Sequence, residues 1–146
     1  KGAKGNSSDG GSHVPLIVSW PAKENISNTF EGLIEFSDFY ATFAEILDVK
    51  NTSDGKSFNW VLEDDKSNSR KNAFVHYDPQ WGKNVNKFRN QFVRTDTYKL
   101  YQDGKFFNLK NDILEENPLA NDALTKKEIK IKKSLEKELQ NHPEFK

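Results

Sequence analysis

Two short stretches of this chain carry side chains suited to polar chemistry. The first is Lys4-Gly5-Asn6-Ser7-Ser8-Asp9-Gly10-Gly11-Ser12-His13, a lysine and a glycine-rich polar loop that runs into an apolar segment. Gly10 and Gly11 are free to take positive φ, which lets backbone come close to a ligand. Successive N–H groups in such a turn can form an anion-binding concavity. A neighbouring lysine adds a compact positive charge on a flexible stem. The combination suits a tetrahedral oxyanion, sulfate or phosphate; the same residues also make an ordinary surface turn ahead of a strand. The second stretch, His76-Tyr77-Asp78-Pro79-Gln80-Trp81-Gly82-Lys83, sets an imidazole, a phenol, a carboxylate, an indole and an ammonium at the end of an expected strand. As a substrate-contact loop, its rings would stack on a sugar or aryl group while His76, Asp78 and Lys83 bond hydroxyls or ester oxygens. As a structural loop, Tyr77 and Trp81 would pack and Asp78 would cap a turn.

Other chemistries find little support. The chain has no cysteine, so it offers no disulfide and no thiolate. His13 and His76 are far apart, no metal-ligand spacing links them, and His142 falls in the C-terminal tail. No metal ligand is assigned to the chain. Lys and Arg total 22, equal to Asp and Glu, so there is no basic excess to attract nucleic acid. No apolar run approaches the roughly 20 residues of a membrane span, and no membrane partner is expected. Among 146 residues there are 11 Phe, 4 Tyr and 3 Trp, so the core must be unusually aromatic. Three sequons, at Asn6, Asn25 and Asn51, arise easily by chance in so asparagine-rich a chain.

The elements that must position these residues follow from periodicity. Residues 14–20 read as an apolar, β-branched strand buried on both faces and stopped by Pro21. Phe36, Phe39, Tyr40, Phe43, Ile46 and Leu47 recur at helical spacing, predicting an amphipathic helix over 38–47 capped by Ser37 or Asp38. A turn follows around Asp54-Gly55, and the charged stretch 63–72 reads as an exposed loop. An antiparallel meander is predicted next, with strands over 73–77, 90–95, 98–102 and 105–109. Asp103-Gly104 between aromatic-rich runs is a hairpin signal. Thr125 and Glu128 form a capping box with Leu124 and Ile129 as a staple, predicting a last helix over about 126–141.

Several segments together resemble the sulfatase family. The opening loop and the strand ending in Trp20-Pro21 are similar to the family's lysine loop. Asp38-Phe39-Tyr40-Ala41-Thr42-Phe43 resembles its Asp-Leu-Tyr-Pro-Thr-Leu helix start, with Ala41 where proline is usual. Asp54-Gly55-Lys56-Ser57-Phe58 is similar to Asp-Gly-x-Ser-Leu, and Arg94-Thr95-Asp96-Thr97-Tyr98-Lys99-Leu100 to Arg-Thr-x-x-Tyr-Lys-Leu. Phe107-Asn108-Leu109, Asp112 and Asn117-Pro118-Leu119 resemble the family's closing motif, with Ile113 in place of proline.

The resemblance implies an arylsulfatase-like parent of the alkaline phosphatase superfamily, an α/β sandwich of which this chain is a C-terminal fragment. The fragment itself would be α+β. Residues 1–72 would give the end of the catalytic domain, one large-sheet strand and its helix. Residues 73–146 would form a small subdomain, a four-stranded antiparallel sheet with a packed helix. The implied reaction is hydrolysis of sulfate esters, of an aryl sulfate or a sulfated glycan, by a formylglycine and calcium centre. That centre would lie mostly outside this chain, leaving the isolated fragment inactive. The match maps a catalytic, sulfate-binding lysine onto Lys4, with Lys1 as a second register. It also sets His13 where arginine is frequent, within reach of substrate. The implied partner is the N-terminal part of the same sulfatase, and the implied location is periplasmic or secreted. A phosphodiesterase or phosphonate hydrolase of the same superfamily and a non-catalytic α+β binding module are the alternative readings.

Overall fold

The computed structural model describes residues 5–22, 29–63, 70–78 and 89–142. They divide into two compact units: one joins the N-terminal segment up to Leu16 to the chain from Phe74 onward, and the other is Ile17–Ala73.

The first unit is built on a four-stranded antiparallel sheet, β1 (Ala73–Tyr77), β2 (Asn90–Arg94), β3 (Tyr98–Tyr101) and β4 (Phe106–Asn108), in sequential order. Register is set by the hairpins: Val93 lies opposite Leu100, and Leu100 opposite Phe106. Gly104 supplies the positive φ, +84°, that closes the β3–β4 turn at little steric cost. Strand residues alternate between two faces. On the first face Val93, Tyr98, Leu100 and Phe106 join Leu135 of the last helix in one core, flanked by Phe74, Leu119, Leu124, Ile131 and Leu139. Phe92, Tyr101, Phe107 and Leu109 form a second cluster with Val75.

That last helix, Lys126–Gln140, starts as its sequence dictates. Thr125 accepts from the Glu128 N–H, and the Glu128 carboxylate accepts from the Thr125 N–H at 2.9 Å. Past its end His142 stacks on Phe74 at a centroid distance of 3.5 Å. In the same unit a one-turn helix, α1 (Asp9–Ser12), interrupts the glycine-rich loop.

The second unit centres on α2, Phe36–Ile46. It begins two residues before its predicted start. Glu35 is the N-cap, and Asp38 at N3 accepts the Glu35 N–H at 2.8 Å, so Asp38 closes the box from inside rather than capping it. Asp38 is 2% exposed. Its carboxylate also accepts the Lys56 N–H at 2.7 Å and two donors of Arg70. Thr42 Oγ1 donates to the Asp38 carbonyl at 2.7 Å and accepts the Phe58 N–H at 3.0 Å. The two motifs at 38–42 and 54–58 are thus one hydrogen-bonded joint. Gly55 sits so close in that joint that a Cβ would meet the Ser37 carbonyl oxygen at 2.1 Å. Helix α2 ends with Asp48 in the left-handed region at φ +52°, a common helix stop. A 3-10 turn, Asn59–Glu63, follows.

Three expectations are corrected. No residue of 14–20 is in a strand, and Val14, Leu16, Ile17 and Val18 stand exposed, Ile17 at 91%. An extended apolar run becomes a strand only with a ladder partner, and the sheet that forms draws all four of its strands from 73–108. The loop at 63–72 is not wholly exposed: Arg70 bridges to Leu33 and its side chain is only 12% exposed against Asp38 and Glu35. Among the described residues, positive φ in the glycine-rich loop falls at Gly5, +89°, and not at Gly10 or Gly11, which lie in α1.

Candidate functional site: an anchored glycine-rich loop

The second face of the sheet presents a problem that sequence alternation creates. Arg94 and Lys99 are direct cross-strand partners, on the same face as Phe92 and Tyr101. Lys99 is fully buried and Arg94 is 9% exposed. Two like charges opposite one another are destabilising, and each buried cation needs an anion. The loop supplies one. Arg94 Nη1 donates to Asp9 Oδ1 at 2.7 Å. Glu115 supplies the other, accepting from Lys99 Nζ at 3.0 Å.

The network continues into the backbone of the loop. Lys99 Nζ donates to the Ser7 carbonyl at 2.7 Å. The single Tyr101 hydroxyl proton is shared between that carbonyl, at 3.0 Å, and Glu115, whose other oxygen accepts the Asp9 N–H at 2.6 Å. Lys99 Nζ lies 4.0 Å from the Phe92 ring centroid, a favourable cation–π placement. Burial still pushes the Lys99 pKa down, opposed by Glu115. Burial, then the bond to Glu115, pushes the Tyr101 phenol far up. Glu115 holds its place at φ +57°, which costs a non-glycine residue roughly 1–2 kcal/mol. The turn enforces it: the Asp112 carbonyl accepts the Glu115 N–H, and the Asp112 carboxylate accepts those of Glu116 and Asn117.

Among the described residues, several N–H groups of the loop are already engaged within the protein. The Asp9 N–H is taken by Glu115, those of Gly11 and Ser12 by the Ser8 carbonyl, and that of His13 by Asp9. The anion that the loop binds is the protein's own Glu115.

The expected site residues fall as follows. Lys4, its alternative Lys1, Trp81 and Lys83 lie outside the described residues. His13 closes α1, with Nδ1 3.3 Å from Asp9 Oδ2 and its side chain 64% exposed. His76 and Tyr77 end β1 on opposite faces. His76 Nδ1 is 2.8 Å from Gln91 Nε2, and its Nε2 is 4.0 Å from Asp78. Asp78 pairs with Arg89 at 3.3 Å. The structure therefore joins His76 to Asp78 and His13 to Asp9. Sequence reasoning missed Asp9, Arg94, Lys99, Tyr101 and Glu115. Two cations in register on an otherwise aromatic face were the readable signal for the first four. Glu115 had none, since a glutamate in left-handed backbone has no sequence signature.

A four-stranded antiparallel sheet backed by a capped helix matches the C-terminal domain fold of a sulfatase. The family model for N-sulphoglucosamine sulphohydrolase, C-terminal, matches residues 7–144, and the chain belongs to that family. Its fold is similar to the solved structure of BT4656 in complex with its substrate D-glucosamine-2-N,6-O-disulfate. The TM-score is 0.57 at 28% identity, over 71% of this chain. The chain spans 23% of that protein's length. No curated protein matches the chain.

Proposed function

We propose that this chain works as the C-terminal part of an enzyme that hydrolyses sulfate from sulfated sugars. The observation that carries the reading is the match of nearly the whole chain to that sulfohydrolase C-terminal family. A structural relative bound to a disulfated glucosamine supports a sulfated glycan over an aryl sulfate.

The chain's own residues do not fit the formylglycine and calcium centre that the family resemblance implies. It has no cysteine to become formylglycine, and no Ser-x-Pro-Ser-Arg segment. Among the described residues no three His, Cys, Asp or Glu side chains converge as metal ligands do. That centre would lie in the N-terminal part of the enzyme. What this chain contributes is charge and contact. The Lys4 ammonium would neutralise negative charge building on the sulfuryl oxygens, a transition-state term worth about 10²–10³ in rate for a single donor. His13, with Nδ1 turned to Asp9, retains its other ring nitrogen for a sugar or sulfate oxygen. His76, Tyr77, Asp78, Trp81 and Lys83 are assigned to the sugar side. The exposed apolar residues at 14–18, and the α2 stripe of Phe36, Tyr40, Phe43 and Leu47, would be covered by the rest of the enzyme.

The test is sulfate release from N-sulfated and 6-O-sulfated glucosamine by the complete enzyme, with Lys4→Ala alongside. Release that falls about 100-fold in the mutant supports the assignment. Undiminished release moves the ligand to Lys1 or elsewhere. No release by the unaltered enzyme from either sugar or from an aryl sulfate removes the sulfatase reading.

A further inference from the structure

We propose that Glu115, with Lys99 and Tyr101, forms a clamp by which the C-terminal sheet sets the position of the glycine-rich loop, and so of His13 at its end. The inference rests on the sulfatase reading for its catalytic half and on geometry alone for its mechanical half.

The loop has little of its own to hold it. Its one helix is a single turn, it carries Gly5, Gly10 and Gly11, and apart from Asp9 its residues are at least partly exposed. Glycine pays the largest entropic cost on ordering. Against this stand four anchors from the sheet side: Lys99 and Tyr101 on the Ser7 carbonyl, Glu115 on the Asp9 N–H, and Arg94 on the Asp9 carboxylate. Ser7 is thus held by its backbone carbonyl, and Asp9 by both backbone and side chain. His13 is tied in turn, since Asp9 accepts its N–H at 2.8 Å and approaches its imidazole.

Two features mark the clamp as more than ordinary packing. Glu115 reaches it only from strained, left-handed backbone, and such strain concentrates where position matters. Lys99 and Glu115 are buried charges on a face that also holds Phe92, Phe107 and Leu109, where apolar residues at their positions would pack without a charge to compensate. Buried pairs of this kind are poor sources of stability. Here they hold a backbone carbonyl and a backbone N–H of one loop in a single register.

The test uses three variants: Tyr101→Phe, Glu115→Gln, and Lys99→Met combined with Glu115→Gln. The double variant removes both charges together, which spares the fold the cost of one unpaired buried ion. In the 146-residue chain, amide exchange at Asp9 and His13 should quicken at least about tenfold in the double variant, while the amides of β2 and β3 keep their protection. In the complete enzyme, kcat for sulfate release should fall at least about tenfold. Across the series the fall should follow loop exchange and not the melting temperature of the sheet. A merely structural role would give the reverse correlation. Loop amides that stay protected in the double variant overturn the clamp. Loop release with kcat unchanged overturns its catalytic role. An unaltered enzyme that releases no sulfate removes the sulfatase reading and that role together, while the exchange result decides the clamp by itself.

Discussion

The sharpest prediction outside the loop concerns Asp38, because one carboxylate there satisfies donors from three segments. It accepts the Glu35 N–H at 2.8 Å, the Lys56 N–H at 2.7 Å, and Nε and Nη2 of Arg70. In Asp38→Asn the side chain keeps its shape but presents an NH2 group to at least one of these donors. It also removes the charge facing a guanidinium that is only 12% exposed. Breaking one side of a buried ion pair costs about 3–5 kcal/mol. Arg70 retains Glu35 at 2.8 Å, which places the loss near the lower end, about 3 kcal/mol. The effect should be local. Amide exchange at Lys56 and Phe58 should quicken by about two decades, since about 1.4 kcal/mol corresponds to tenfold. The amides of Val93 and Leu100 should be unchanged. A loss below about 1 kcal/mol would mean that the joint between α2 and the 54–58 turn is held by packing of Phe39 on Phe58, and that the carboxylate is incidental.

Three further outcomes follow from the same kind of reading. Gly55→Ala should destabilise Ile17–Ala73 by about 2 kcal/mol or more in denaturant titration, because the added Cβ meets helix backbone at Ser37 and not a movable side chain. The Glu128 carboxyl is held below the usual carboxylate range, first by the Thr125 hydroxyl. Its contribution is present above the ordinary range and lost as pH falls through the lowered value, so helical circular dichroism of the last helix should weaken there, and Thr125→Val should abolish that acid phase. The Tyr101 phenol is shifted upward, chiefly by burial, so its contribution is complete below the ordinary tyrosine range and lost as pH rises beyond it. Lys99 is shifted down by burial, so its opposing gain is complete by the ordinary lysine range and does not offset the Tyr101 loss beyond it. The Tyr101 phenolate signal, read as the absorbance difference from Tyr101→Phe, should therefore appear together with loss of tertiary structure, and its separate appearance on an intact fold would refute the burial argument.

The meander and last helix were legible because their signals are local. Thr125 and Glu128 cap at the predicted residue, and the Asp103-Gly104 turn and aromatic alternation give β3 and β4 to within a residue or two. Residues 14–20 misled because strand character in a buried run depends on neighbours that periodicity does not reveal. The start of α2 was misplaced for a related reason. Asp38 is a good N-cap by type, yet its carboxylate is claimed by Lys56 and Arg70, 18 and 32 residues away, and the helix extends to Glu35. In the candidate site, His13 and the His76–Asp78 group could be named by type, but what fixes the loop could not. Its anchors are separated from Ser7 and Asp9 by 85 to 106 residues.

The division of labour between the sheet's faces explains why both kinds of signal coexist. The face toward Leu135 holds the apolar cluster of Val93, Leu100, Phe106 and Leu135, and such a cluster tolerates volume-conserving exchange. The face toward the loop places Arg94 and Lys99 in register, an arrangement that would be unfavourable in an isolated hairpin. It becomes favourable only when Asp9 and Glu115 are both delivered, so docking of the loop and completion of the sheet's second face are one event. An apolar face would have bound the loop in any of several registers. A charged one admits the register in which Ser7 meets Lys99 and Asp9 meets Arg94, and it is penalised in every other. Replacing Arg94 and Asp9 together by leucine should therefore leave the sheet at least as stable while loosening the loop. A variant pair that kept the loop's exchange rates unchanged would show that apolar contact alone fixes the register.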